Sequence, residues 1–154
     1  MSSSMQITPF KKITEIPNGK NGFSDLTSDD EFIDVAQTFI LKNVRGIRKP
    51  YFTGLDAYLF DAQISFGFNA KYVVNSCEFR KPFDLPNQCK LRYKNVDLFQ
   101  PTLSDVKSAL SEIGEAVELI DVGLSSKNLG ISFFSSDFEN SLDVTLDAVT
   151  VNFQ

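Results

Sequence analysis

Residues 64–79, ISFGFNAKYVVNSCEF, decide the fold class. Ile64, Phe66 and Phe68 alternate with small or polar residues, the period-two signature of a strand with one buried face. Asn69, Ala70 and Lys71 supply a turn. Val73, Asn75, Cys77 and Phe79 then return with the same period, so the stretch reads as an antiparallel hairpin. Upstream, residues 55–60 (LDAYLF) read as a further strand. Downstream, Pro82 and Pro86 bracket a loop, after which Cys89, Leu91 and Tyr93 alternate again. Connections this short favour hairpins over βαβ winding.

Two helices are predicted around these strands. The first, about residues 29–43, carries an apolar stripe of Phe32, Val35, Ala36, Phe39 and Ile40. Ser28 with Glu31 reads as its capping box, Lys42 and Arg45 suit its negative end, and Gly46 is its stop. The second, about residues 104–113, has Val106, Ala109, Leu110 and Ile113 as its stripe. Thr102 or Ser104 is its cap and Gly114 its end. Three strand-like runs follow, at residues 117–121, 129–134 and 142–153. In the last, Leu142, Val144 and Leu146 give way to Val149, Val151 and Phe153, a parity switch that implies a bulge or bend near Asp147.

Residues 1–27 are polar and turn-rich, with Pro9, Pro17, Gly19 and Gly22, and read as a loosely ordered N-terminal segment. Within it, residues 6–10 are a candidate edge strand, because Pro9 would disturb a central one. Asn18 and Gly19 are a turn signal. The expectation is a single domain over residues 1–154, of α+β class: a mostly antiparallel β-sheet of about six to eight strands with two main helices.

At 154 residues the chain is long enough to bury a core without staples. Fifteen Phe, no Trp and two Met make that core phenylalanine-rich. No apolar run approaches the roughly 20 residues of a membrane span, and the start lacks the basic and apolar regions of a signal peptide. A cytoplasmic protein with no membrane contact is expected. Cys77 and Cys89 match no zinc or redox spacing, so two buried reduced thiols are expected.

There is no histidine, which excludes Ser-His-Asp and Cys-His catalysis and histidine-ligated metal. No phosphate-binding glycine loop and no calcium loop is present. Asp56, Asp61, Asp143 and Asp147 lie on or beside predicted strands, where solvated carboxylates are the common case. No catalytic residue, metal or cofactor is therefore expected. The basic residues Lys42, Arg45, Arg48 and Lys49, followed by Tyr51 and Phe52, read as a helix end. Direct nucleic-acid binding is opposed by a net charge of −5.

Charge is unevenly spread. Residues 1–94 carry 13 basic and 10 acidic side chains, whereas residues 95–154 carry ten acids against Lys107 and Lys127 alone. Glu112, Glu115, Glu118 and Asp121 crowd one junction, and Asp137, Glu139 and Asp143 follow. A concentration that repels itself without local need suggests a face for a basic partner. Tyr58, Tyr72 and Phe138 are candidate aromatic anchors for it.

Residues 61–151 also carry an ordered pattern: Asp61 before Ile64–Phe68, then residues 73–79, 93–99 (YKNVDLF) and the helix opening at Ser104-Asp105-Val106. Asp121-Val122-Gly123, residues 129–133 (LGISF) and a valine-rich end complete it. In this order the chain resembles small cytoplasmic immunity proteins encoded beside bacterial polymorphic toxins, including contact-dependent growth-inhibition systems. The resemblance implies an antitoxin that binds a cognate toxin domain, a basic nuclease by class, and covers or distorts its active site. It implies no catalytic residues. A monomer or weak dimer is expected. The alternative is a small-ligand-binding or structural interaction module without catalytic activity.

Overall fold

A computed structural model describes residues 4–20, 22–48, 50–59, 63–139 and 141–154. Lys49, Phe60 and Asp61, which entered the sequence reading, lie outside them. The fold is α+β with far more sheet than helix.

The larger sheet has eight strands, all antiparallel. Four form a continuous meander: β4 (Asn43–Arg48), β5 (Phe52–Leu59), β6 (Ile64–Asn69) and β7 (Val74–Arg80). Four more come from the end of the chain: β10 (Glu118–Ile120), β11 (Gly123–Ser126), β12 (Ile131–Phe134) and β13 (Ala148–Asn152). The two meanders join where β13 pairs with β7, giving the order β10-β11-β12-β13-β7-β6-β5-β4.

The register places like with like. Leu124, Phe133, Val149, Phe79, Ile64 and Leu59 stand opposite one another in turn across six strands, all buried. Beside them run Ile131, Val151, Cys77, Phe66 and Ala57, also buried. The Val, Leu, Ile and Phe side chains among them each contribute about 1.5–3 kcal/mol relative to exposure. One break in period needs a bulge: between Gly67 and Phe68 the register to β7 slips by one residue, so that Val74 is buried with Cys77 and Phe79. The hairpin expected from residues 64–79 is present, but Val74 takes the core position that simple alternation gives to Val73 and Asn75.

Residues 4–27 are not a loose segment. They form β1 (Ser4–Thr8), β2 (Lys12–Gly19) and β3 (Gly22–Thr27), which with β8 (Lys90–Tyr93) and β9 (Val96–Asp97) build a five-stranded sheet ordered β3-β2-β1-β8-β9. The reason is burial: Met5, Ile7, Ile13, Ile16 and Leu26 all enter the core. Ile13 and Ile16 share a face because β2 bulges between them. Glu15 there takes a φ of 59°, and its N–H donates to the Asp25 carboxylate at 2.9 Å. β1 is central rather than at an edge, parallel to β8 and antiparallel to β2, with Pro9 just past its end. The β2–β3 hairpin turns after Gly19, which is itself paired with Gly22.

The first helix, α1 (Phe32–Thr38), is half the expected length. Its first turn is tied by Asp34, whose carboxylate accepts from the Glu31 N–H at 2.9 Å, instead of the expected Ser28–Glu31 box. The helix stops at Phe39, which turns extended yet stays buried edge-on against Phe66, ring centroids 5.0 Å apart. Residues 43–48 then leave to pair with β5. The apolar stripe continues into Phe39 and Ile40, but residues 43–48 pair with β5 instead, and tertiary context overrides the stripe. Lys42, Arg45 and Arg48 consequently lie on or beside the edge strand β4, not at a helix end.

The second helix, α2 (Leu103–Glu112), matches its local signals. The Thr102 hydroxyl accepts from the Asp105 N–H at 3.1 Å, and Gly114 follows with a φ of 79°. Leu103, Val106 and Leu110 are buried, and the helix contacts β11. The predicted strand at residues 142–153 is ordered as β13 only from Ala148. Before it the chain runs irregularly, with Leu103 and Ser104 N–H groups donating to the carbonyls of Val144 and Leu142. Apolar residues of both sheets and both helices form one continuous core. Cys77 and Cys89 are buried within it and are not joined in a disulfide.

Phe66→Ala removes a fully buried ring from the middle of this core and is expected to lower unfolding stability by about 3–5 kcal/mol in urea titration. Phe23→Ala, at a half-exposed ring on the edge strand β3, is expected to change it by less than about 0.5 kcal/mol.

Candidate functional site

Three acids of the second part of the chain, Glu118, Asp121 and Glu139, stand at one end of the large sheet. β10 is its last strand and is paired on one side only, with β11. Leu119 stands opposite Leu124 and so extends the apolar row to the sheet's edge, where it is 67% exposed. Val122, in the turn that follows, is 48% exposed. An exposed apolar edge strand is a template for a partner, and natural sheets protect theirs with charge.

The charge here is acidic. Glu118 lies on β10 and is met by Lys127 at 3.3 Å. Asp121 sits in the β10–β11 turn, and Phe138 and Glu139 lie on the loop leaving β12. That loop is tied to the turn by the Ser135 N–H, which donates to the Val122 carbonyl at 3.0 Å. Leu119, Ile120, Asp121, Phe138 and Glu139 line one depression of about 370 Å³. Gly123 makes the geometry possible: a Cβ there would fall onto the Phe133 carbonyl oxygen of the neighbouring strand.

Not every candidate joins this site. Glu115 lies three residues before β10, where the Tyr93 hydroxyl reaches its carboxylate at 3.5 Å. Glu112 is exposed on the last turn of α2. Asp137 is exposed on the Phe138 loop. Asp143 belongs elsewhere. It is next to the start of α2, a helix about 15 Å long at 1.5 Å per residue, so it is remote from Glu112. Tyr72 is in the β6–β7 turn, its ring 5.4 Å from that of Phe52, and Tyr58 is on the outer face of β5. Of the three proposed anchors, only Phe138 stands with the acids. Sheet order decides this, and the sequence spacing of the tyrosines carries no sign of it.

A second polar cluster occupies the outer face of the large sheet. Tyr58, Ser65, Glu78, Thr150, Ser132 and Ser125 face one another across it. Beside them, Asp56 shares a row with Arg45 and Gly67. Burial raises the Asp56 carboxyl above its usual range, and Arg80, Arg45 and the Tyr58 hydroxyl only partly offset it. Arg80 itself pairs with Glu78 at 2.8 Å. Arg45, Gly46, Ile47, Arg48, Asp56 and Tyr58 line a polar depression here. Sequence reading missed this cluster because its members come from seven strands.

A third feature is a cleft of about 370 Å³ with an aromatic floor: Phe83 and Phe99 stack at 4.5 Å, and Lys81 and Lys90 stand on its rim. Both lysines have carboxylate partners, Lys81 with Asp147 at 2.5 Å and Lys90 with Asp97 at 4.0 Å. Burial opposes the charge on Asp147, but Lys81 and the N–H and hydroxyl of Ser136 outweigh it and hold the carboxyl below its usual range. Burial also pushes the Cys77 thiol well up, away from thiolate chemistry. Among the described residues no three metal-ligating side chains converge. No helix of the described residues is long and apolar enough to cross a membrane. No protein family, curated protein or solved structure matches the chain.

The two perturbed carboxylates make opposite predictions. Asp56 binds its proton more tightly when folded, so wild type should lose stability relative to Asp56→Asn as pH rises from 3.8 through its raised folded value. Asp147 binds its proton less tightly, so wild type should gain relative to Asp147→Asn as pH rises from the lowered folded value through 3.8. Urea midpoints at several pH values between about 3 and 6 read both signs. Gly123→Ala, which places a methyl group on a carbonyl, is expected to cost about 2–3 kcal/mol by the same measurement.

Proposed function

We propose that this protein is a non-catalytic inhibitor of immunity type, which holds a basic protein domain against the β10 end of its large sheet. The observation that carries the reading is the exposed Leu119–Val122 edge beside Glu118, Asp121 and Glu139, an apolar strip flanked by three acids, of which Glu118 is met by Lys127. Interfaces work this way: the rim accelerates encounter and the desolvated centre sets residence time. The sequence resemblance to immunity proteins makes a toxin domain, a nuclease by class, the natural partner. Nucleases carry basic surfaces to hold phosphates, and an acidic inhibitor competes for that surface.

The carboxylates offer weaker support for catalysis. Asp56 is flanked by arginines on an open sheet face, while Asp147 is committed to Lys81 and Ser136. A small-ligand reading is favoured by one observation only, the Phe83–Phe99 cleft, whose two cations already have partners.

The test is binding to the product of the neighbouring gene, which this reading requires to be a basic toxin domain, by stopped-flow at several salt concentrations. Association is expected to slow at least tenfold between about 20 and 200 mM salt, and the Glu118→Gln/Asp121→Asn/Glu139→Gln variant to start slow and lose most of that salt dependence. Association that ignores both salt and these substitutions would overturn the acidic-surface reading.

A further inference from the structure

We propose that the depression beside β10 is an arginine-capture pocket, taking one arginine side chain from an extended basic segment of the partner. The inference rests on the protein-binding reading above and names what the partner presents there. Four observations converge. The depression is lined by Leu119, Ile120 and Phe138 together with Asp121 and Glu139. Glu118 is met by Lys127, but among the described residues no lysine or arginine stands within 4.0 Å of Asp121 or Glu139. The two carboxylates thus line one depression with no ion-pair partner among the described residues. The wall is held before any partner arrives, through the Ser135 N–H on the Val122 carbonyl. The outer side of β10 has no strand beside it in the sheet.

An arginine fits this chemistry better than other occupants. Its methylene stem covers apolar surface while its head stays polar, as Leu119 and Ile120 next to acids require. Its planar guanidinium stacks on a phenyl ring and forks between two carboxylates, which a lysine ammonium does less well. An anion is repelled by both acids, and an apolar side chain would leave both unmatched. Two other surface depressions lack this combination. The Phe83–Phe99 cleft has its cations paired, and the Arg45–Arg48 depression encloses its own carboxylate, Asp56. A short extended segment is the natural carrier, because it can lie along the open edge and present alternate side chains to one side.

The probe is a blocked pentapeptide, Thr-Val-Arg-Val-Thr, titrated into the isotopically labelled full chain and followed by amide chemical shifts. Perturbations are expected to centre on residues 118–122 and 138–139. Replacing the arginine by citrulline, which keeps the shape and removes the charge, is expected to weaken binding at least tenfold, and lysine by several fold. Asp121→Asn/Glu139→Gln, both at exposed positions, should fold as wild type by circular dichroism and lose binding at least tenfold; Phe138→Leu should lose the arginine-over-lysine preference. Equal binding of the citrulline peptide, shifts centred on the β4 edge or the Phe83–Phe99 cleft, or no shifts at millimolar peptide would each overturn the pocket. A basic toxin domain that binds the Asp121→Asn/Glu139→Gln variant as tightly as wild type would remove the pocket and leave the inhibitor reading. Peptide capture without any toxin binding would remove that reading and leave the pocket.

Discussion

The pairing of β13 with β7 is the constraint on which the rest of the molecule hangs. Each four-stranded meander is built from strands consecutive in the chain, and each alone would leave one long apolar edge in water. Five residue pairs, from Ala148 opposite Arg80 to Asn152 opposite Ser76, close that gap. They put Val149 beside Phe79 and Val151 beside Cys77, so that two half-rows of core side chains become two full ones. The helices and the second sheet have a continuous apolar surface to cover only because this seam is shut.

The same seam fixes where the two open edges lie. A meander that begins at β7 must end at β4, and one that begins at β13 must end at β10. The sheet therefore has a basic border, with Lys42, Arg45 and Arg48, and an acidic one, with Glu118 and Asp121. Charge on both borders discourages indiscriminate strand pairing. The borders are not equal, however. At β10 the protecting acids share their surface with Leu119 and Val122, and a loop from the other end of the same meander supplies Phe138 and Glu139. An edge that is only charged repels; an edge that is charged and apolar selects.

Much of this was legible in the sequence where the controlling interactions are local. The α2 helix declared itself through Thr102, its stripe and Gly114, all within thirteen residues. The β5–β7 strands showed their period. What stayed hidden was set by distant partners or by backbone irregularity. Residues 4–27 carry Pro9, Pro17 and two glycines, which read as loop, and only the bulge at Glu15 lets Ile13 and Ile16 share a face. The α1 stripe runs on through Phe39 and Ile40, so nothing local announces that the chain will leave to pair with β5. The short β11, GLSS, has almost no pattern of its own, and without it the position of β10 at the border was unreadable. The acids were visible as a group, but which of them stand together, and that Tyr58 and Tyr72 do not, depends on strand order alone.

The parallel contact of β1 with β8 has a consequence for how the chain comes off the ribosome. Ser4 and Arg92, whose side chains meet at 3.1 Å, are 88 residues apart. The β1–β3 hairpins can form as soon as they emerge, yet β1 keeps one flank bare until β8 has been synthesised. In that interval the bare flank of β1 offers unpaired backbone groups to any other strand. A pause in translation before residue 90 would prolong that state, whereas speed through residues 28–89 shortens it. The small sheet thus makes the pace of synthesis, and not only the final contacts, part of what the sequence has to get right.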